Sequence, residues 1–445
     1  MPTSSRRAFL RTSLGAAAGA VVAPSAFALP PHALPAFRPR ALAVAADLAG
    51  PADGRDAAAV AGDEDFWSTV QRAFDVDRTL VNLNNGGVSP TPTHVLDAMM
   101  RDLRFSNGAP VHEMWQVLEP RIEGVRRELA REFGCDPEEL AITRNASEAM
   151  ETLILGLDLR RGDEAVVTTQ NYPRMLTTWD QRARRDGIVV KRVTYAAPLQ
   201  DPATLVAAIR AAMTPRTRVI ELPHLVNWTG QITPIRDLAR LARERGVELL
   251  VDGAHAFAHF PFTRDALECD YYGTSLHKWL LAPIGTGFLY VRREKLAGMW
   301  PLMAAPAEMT ANVRKFEEIG THPAANHNAI APALAFHRAL GAERKAARLR
   351  YLRDRWVARL RAEDAGRVRL LAEPAQSGGL ACVHVDGLDV PKLQAQLWAR
   401  DRIITTPIVH AEFSGLRVTP NVYTTLDEVD LFADRMVSCM RRGLA

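Results

Sequence analysis

From about residue 92 the chain alternates between short apolar runs and longer stretches in which apolar residues recur every three or four positions. The short runs read as strands buried on both faces, and the periodic stretches as helices laid over them. Residues 139–142, 164–168, 218–222, 247–251 and 287–291 are the predicted strands of this part. Ala149, Leu153, Leu155 and Leu157 mark one helical stretch; Leu238, Leu241 and Ala242 mark the inner face of another. Thr233-Pro234 supplies the second with an N-cap and a proline at the first position, and Gly246 closes it. Strands alternating with helices of this length predict an α/β fold with a mainly parallel sheet covered on both faces.

Beyond about residue 305 the pattern changes. A long helical stretch over 331–362 precedes short strands around 368–371 and 379–385. That order predicts a second, smaller α+β domain. The expected organisation is therefore a large domain over 63–305 and a C-terminal small domain over 306–445.

The amino terminus reads differently. Ser5-Arg6-Arg7-Ala8-Phe9-Leu10-Arg11 is a twin-arginine pattern, a weakly apolar stretch runs from Leu14 to Val22, and Ala26-Phe27-Ala28 offers small residues for cleavage. Residues 1–28 are thus expected to be an export signal read by the twin-arginine machinery, placing the protein in the periplasm or outside the cell. The apolar stretch is too short for a stable membrane span. Residues 29–62, rich in Ala and Pro, read as a disordered tether without a core.

Composition adds little. With 445 residues, 47% of them hydrophobic, the chain can bury a sizeable core or two. The net charge of +4 owes much to Arg6, Arg7, Arg11, Arg38 and Arg40. No basic block with interleaved aromatics follows, so no nucleic-acid partner is expected. The four cysteines, Cys135, Cys269, Cys382 and Cys439, lie far apart without a Cys-x-x-Cys, which argues against metal or redox work. One disulfide stays open.

The candidate chemistry begins with Asp252-Gly253-Ala254-His255 and, downstream, Ser275-Leu276-His277-Lys278-Trp279. Asp252 falls at the carboxyl end of a predicted parallel strand, where open α/β sheets bind ligands. A carboxylate there can keep a pyridine nitrogen protonated, and a lysine of depressed pKa can form a Schiff base. Alone, one Asp and one Lys have an ordinary structural reading. The neighbours shift the balance. Asn145-Ala146-Ser147-Glu148 sits at a strand-to-helix turn, where the N–H groups of Ala146 and Ser147 suit a phosphate, or where a plain cap suffices. Tyr172 follows a strand and could stack on a ring, or rest on the surface. Asn227, with Thr229-Gly230, could bond a ring hydroxyl, or simply build a turn. His255 and His259 stand four apart, which faces one side only on a helix; the segment reads as strand then loop, so no metal pair is expected.

Together these pieces resemble a family. Over residues 78–440 the chain is similar to the class V aminotransferase-like enzymes of fold type I, most like the isopenicillin N epimerase group. Besides the motifs above, the resemblance rests on Leu83-Asn84-Asn85-Gly86-Gly87-Val88-Ser89-Pro90, His224-Leu225-Val226-Asn227-Trp228-Thr229-Gly230 and Pro283-Ile284-Gly285-Thr286-Gly287-Phe288-Leu289-Tyr290. It rests also on Glu318-Ile319-Gly320-Thr321 and Leu416-Arg417-Val418-Thr419-Pro420-Asn421-Val422-Tyr423. Each is weak; in order and at these spacings they are strong.

The resemblance implies pyridoxal 5'-phosphate as cofactor, with Lys278 bonded to it. It implies Asp252 at the pyridine nitrogen, His255 and Asn227 near the ring hydroxyl, and Tyr172 on the ring face. Ala146, Ser147, Ser275 and His277 would hold the phosphate. Thr321 would reach the phosphate of a partner subunit, making the enzyme a homodimer with shared sites. Arg417 would grip the substrate carboxylate, with Asn85 and Gly86 at the pocket mouth. The alternative for Arg417 is a structural salt bridge.

The implied reaction starts with loss of a substituent at the α-carbon of an amino acid, with Lys278 as base. Reprotonation on the opposite face is epimerisation, transfer to the cofactor is transamination, and loss of a side-chain group is a lyase reaction. Cysteine desulfuration is disfavoured, because residues 405–415 contain His410 and no Cys, and Cys382 falls in a predicted strand. Export argues against dependence on metabolic oxo-acid pools. His112, Trp115, Trp228 and His410 are candidates for side-chain selection. Two other readings are weighed. An exported binding protein without activity is opposed by intact Asp252, Lys278 and Arg417. A nicotinamide enzyme lacks the Gly-x-Gly-x-x-Gly fingerprint.

Overall fold

The computed structural model of the chain describes residues 54–444. The expected export signal and residues 29–53 of the expected tether lie outside the described residues. Strands are numbered in chain order: β1 (Val81–Asn82), β2 (Leu140–Thr143), β3 (Glu164–Thr168), β4 (Val189–Val193), β5 (Thr217–Pro223), β6 (Glu248–Asp252) and β7 (Tyr271–Ser275). They continue with β8 (Gly287–Val291), β9 (Val368–Leu370), β10 (Ala381–Val385), β11 (Ile403–Ile404), β12 (Thr406–Val409) and β13 (Ser414–Val418).

Seven strands form the main sheet in the order β2-β8-β7-β6-β5-β3-β4. The pairs β4-β3, β3-β5, β5-β6 and β6-β7 are parallel; β8 is antiparallel to both β7 and β2. Every residue of β2, β3, β7 and β8 is buried, because helices cover both faces. Glu164 is the charged exception in β3, and it is held by Lys191 and Arg216. A smaller antiparallel sheet runs β12-β13-β10-β9, and β1 pairs with β11 in parallel. The mainly parallel α/β architecture with a smaller sheet is as expected.

Several local expectations change. The helix after β5 is Ile235–Arg245, with Pro234 at its N-cap position and no side-chain cap. Thr233 does not cap it, because its hydroxyl donates to the Pro223 carbonyl at 2.6 Å. Gly246 does close the helix, at φ 64°. The single stretch expected over 331–362 is two helices, Ile330–Leu340 and Ala342–Asp364, because Gly341 stands between them at φ 83°.

The end of the expected tether is also structured. Ala57–Ala61 form a helix, with Val60 fully buried. Trp67 Nε1 donates to the Val60 carbonyl at 2.7 Å, and Arg348 donates to the carbonyl of Ala61 at 3.0 Å. Val60 and Ala61, within the expected tether, therefore belong to the packed body, while residues 54–59 before them are largely exposed.

Apolar packing does not change at residue 305. Ile330, Leu334 and Phe336, with Ala346 and Leu349, pack into the core beneath the main sheet. Leu352, Trp356, Val357 and Leu360 of the same helix Ala342–Asp364 pack into the core of the small sheet, together with Val81 and Leu83. One helix thus runs through both cores, and the segment around β1 joins the small one. No described helix is long and apolar enough to cross a membrane.

Candidate active site

The parallel strands β5 and β6 and their neighbour β7 end on one edge of the main sheet, and the candidate residues collect there. Asp252 is the last residue of β6, and its Oδ1 accepts from the Ala254 N–H at 2.9 Å. Lys278 stands in the turn after β7, and its Nζ lies 3.1 Å from His255 Nε2. Protein atoms crowd the ammonium and Arg417 repels it. Asp252 opposes both, and the lysine settles at about 8. Burial pushes the Asp252 carboxyl up, an accepted N–H and the Lys278 charge pull against it. Burial also drives His255 far below the ordinary imidazole value, so its ring is neutral. The site thus disfavours charge on all three groups until a ligand brings a counter-charge.

Beside them runs the turn from β2 into the helix Ala146–Gly156. Asn145 is the N-cap, its Oδ1 accepting from the Glu148 N–H at 2.9 Å. The Ala146 N–H donates to Ser275 Oγ at 2.9 Å, which joins two of the expected phosphate residues directly. Ser147 is the second residue of the same helix, whose N-terminus favours an anion. His277 Nδ1 lies 3.3 Å from the Thr286 carbonyl, and burial lowers its ring to about 4. Gly287 makes this junction possible: a Cβ there would fall 2.5 Å from the Thr274 carbonyl and 2.8 Å from the Asn145 Cα.

Arg417 enters from β13. Its Nη1 donates to the Asn227 carbonyl at 3.0 Å, and its Nη2 to Asn84 Oδ1 at 2.9 Å and Thr406 Oγ1 at 3.2 Å. It is buried, and no carboxylate among the described residues pairs with it. The salt-bridge alternative for Arg417 therefore finds no support. A guanidinium buried without an anion is an anion-binding group in waiting.

Not every expected residue faces this centre in the same way. Asn85 is fully buried, and its amide is spent on the Asn82 and Thr419 carbonyls and the Tyr423 hydroxyl. It braces the pocket wall and offers nothing to a substrate. Gly86 does border the site, since a Cβ there would meet His255 Cε1 at 3.3 Å and Thr419 Cγ2 at 3.0 Å. Tyr172 is 39% exposed at the start of the helix Pro173–Asp186. Thr321 is exposed on the loop before Ala324–Asn328 and makes no hydrogen bond to the residues above. His410 Nε2 lies 3.1 Å from the Thr169 carbonyl, and its ring stacks on Phe413.

Sequence reasoning missed three residues. Asn84, one position before the asparagine singled out, is the one that reaches Arg417. Thr406 Oγ1 sits between them, donating to Asn84 Oδ1 at 2.7 Å. Glu221 is buried in β5, accepts from Asn171 Nδ2 at 2.6 Å and from Trp179 Nε1 at 3.3 Å, and is pushed up to about 8 by burial and by Asp252. The signal was available: a carboxylate among the apolar residues Val219, Ile220 and Leu222 of a predicted strand.

The residues fit a phosphorylated hydroxypyridine aldehyde. Among the buried polar atoms without a protein partner are His255 Nδ1, Asn227 Oδ1 and Arg417 Nε. Such atoms are costly unless a ligand completes them. A lysine for the aldehyde, a carboxylate for the ring nitrogen and a helix N-terminus for the phosphate stand within one cluster. The main sheet, the small antiparallel sheet and this site define a fold-type I pyridoxal-phosphate enzyme.

Comparison with known proteins agrees. The family model for aminotransferase class V matches residues 81–432. The chain is 31% identical over 388 residues to isopenicillin N epimerase of Streptomyces clavuligerus, covering 83% of this chain and 97% of that one. Among solved structures it is similar to an apo cysteine desulfurase from Thermococcus onnurineus, with TM-score 0.73 and 21% identity over 84% of this chain and 98% of the other. It is also similar to a C-DES variant with glycine covalently linked to its PLP cofactor, with TM-score 0.73 and 25% identity over 82% and 98%. The chain belongs to the class V aminotransferase family and is an enzyme dependent on pyridoxal phosphate.

Proposed function

We propose that the enzyme acts at the α-carbon of an amino acid or amino-acid-derived substrate and inverts its configuration, in the manner of an isopenicillin N epimerase. The observation that carries this reading is Lys278, lowered to about 8 and 3.1 Å from His255, opposite an Arg417 that no carboxylate neutralises. Pyridoxal phosphate supplies an electron sink for negative charge at the α-carbon.

The chain's own residues do the rest. Asp252 would hold the ring nitrogen protonated, and His255 and Asn227 would complete the ring hydroxyl. Ser275, Ser147, Ala146 and His277 would hold the phosphate, and Tyr172 would cover the ring face. Arg417 anchors the substrate carboxylate, already oriented by Asn84 and Thr406. Lys278 Nζ takes up the α-proton, a role suited to an amine half neutral near pH 8. Gly86 lets the backbone pass close to His255, where a Cβ would be crowded.

A cysteine-dependent lyase is the weaker reading. Cys382 is fully buried opposite Arg417 in the β10–β13 register, and burial raises its thiol. The β12–β13 hairpin is closed by only the residues between Val409 and Ser414, with His410 tied to Thr169. Neither place gives a mobile thiolate. An aminotransferase shares the first step and is separated by product.

The test is a panel of amino acids in deuterated water, read for deuterium at the α-carbon, for configuration and for oxo acid. Deuterium with inversion and no oxo acid supports the epimerase. Accumulating oxo acid makes it an aminotransferase, and an absence of exchange across the panel overturns the reading.

The proposal extends to assembly and place. The enzyme is a homodimer in which Thr321, on its exposed loop, completes the partner's phosphate site; a monomer in sedimentation would refute this. It is exported by the twin-arginine route; Arg6→Lys with Arg7→Lys should leave it in the cytoplasm, and undisturbed export would refute that.

A further inference from the structure

His259 takes no part in the chemistry above, yet both its nitrogens are committed. Nδ1 lies 2.8 Å from the His255 carbonyl, and Nε2 accepts from the Gly379 N–H at 2.7 Å. A carbonyl only accepts and an amide only donates. One tautomer satisfies both, with the proton on Nδ1. The imidazole also stacks on Trp279, with centroids 3.6 Å apart and planes 13° apart. Trp279 directly follows Lys278, whose Nζ returns to His255. The four residues close a loop: His255 carbonyl to His259, His259 to Trp279, one peptide bond to Lys278, and Lys278 to the His255 ring.

The chain is bent to make this loop. Ala258, immediately before His259, has φ 59°, and Leu281, two residues after Trp279, has φ 67°. Both carry a Cβ in the left-handed region, a strain that persists only where surroundings impose it. Gly378 is cut to fit: a Cβ there would lie 2.6 Å from His259 Cε1 and Nε2. Lys345 steadies the far side by donating to the Trp279 carbonyl. The groups charged toward His259 are Lys345, Arg350 and Arg353, all cationic, and with burial they hold the ring near 3. It stays neutral where the enzyme works.

We propose that His259 is a positioning residue, which fixes the Lys278–His255 pair and ties it to the small sheet through Gly379. This rests on Lys278 being the cofactor lysine. His259 acts through the His255 backbone and the Trp279 ring, and the geometry gives it no proton to exchange.

The experiment compares wild type with H259F, which keeps the stack and loses both hydrogen bonds, and H259N, which keeps a donor near the Nδ1 position. The pH titration of the bound cofactor's absorbance reports the Lys278 environment, which also includes Asp252, His255, His277 and Arg417. H259F is expected to move its midpoint by about one pH unit, with H259N recovering part of the shift. An unmoved midpoint in a folded H259F overturns the proposal. Should H259F fail to fold, nitrogen-15 spectra of histidine in the wild-type apoprotein decide: a proton on Nε2, or titration of His259 between pH 5 and 8, overturns it. Failure of borohydride to fix the cofactor on Lys278 in wild type would instead sink the functional reading, so the two failures are distinct.

Discussion

Two lysines of this enzyme, Lys278 and Lys345, are stripped of their ordinary basicity, yet only one is placed for chemistry. Burial lowers Lys278 to about 8 and Lys345 to about 7. Lys345 has 1% exposure and spends its amine on the carbonyl of Trp279, deep beside the helix Ile330–Leu340. Lys278 keeps partial exposure to an open site, faces Asp252 and touches His255, which itself has an unpaired nitrogen. The lesson is that a depressed pKa marks desolvation and not function. What separates the two amines is that Lys278 shares a strand edge with Asp252 and His255, whereas Lys345 is spent on a backbone carbonyl.

That comparison can be broken in order of expected effect. Lys278→Ala should remove the covalently held cofactor and lower turnover by at least about 10³-fold, read by absorbance after borohydride. An unchanged band would put Lys345 in contention. Asp252→Ala should leave the cofactor bound but cut turnover by roughly 10²-fold or more, since the ring nitrogen loses its counter-charge. Near-normal rates would remove the feature that distinguishes the Lys278 site. Arg417→Ala should raise KM by about 30- to 100-fold with a smaller change in kcat, the loss of a charge-assisted pair. An equal fall in kcat at constant KM would return Arg417 to scaffolding.

Lys345→Met sharpens the comparison from the other side. It should retain the cofactor band and most activity, while changing how stability varies with pH. The folded pKa of Lys345, about 7, lies below its ordinary value of 10.5, so the unfolded chain binds more protons between them. Wild type should therefore gain on Lys345→Met as pH rises from 7 to 10.5, by up to about 1.4 kcal/mol per pH unit, and lose that advantage as pH falls through 7. Parallel stability curves would mean that Lys345 is not desolvated as drawn.

Much of this was legible in the sequence, for physical reasons. β2, β3, β5, β6 and β8 were legible as short, largely apolar runs because both faces are covered, whereas β7, Tyr271-Tyr272-Gly273-Thr274-Ser275, is buried without being apolar and was not read as a strand. The site motifs were legible because Asp252, Ser275 and Lys278 sit at or just past strand ends. Asn84 and Asn85 were indistinguishable, because which of two adjacent amides meets Arg417 depends on a β1 segment paired with strands far along the chain. Periodicity could not see that Gly341 breaks the helix after Leu340, since apolar spacing continues across it. His259 was noticed as half of a histidine pair, but its partners, Gly379 and Trp279, are brought by tertiary packing alone.

The pairing of Val81 with Ile403 sets a timetable for synthesis. The ribosome releases β1 early, and its partner strand only near the end. Arg417, which Asn84 must meet, emerges later still. The nascent chain can assemble most of the main sheet while the small core stays open, with Val81 and Leu83 exposed and waiting. On the proposed role of Arg417, capacity to bind a substrate carboxylate therefore arrives last. A chain truncated before Arg417 would carry the lysine but lack the grip, and would bare the apolar residues that invite aggregation.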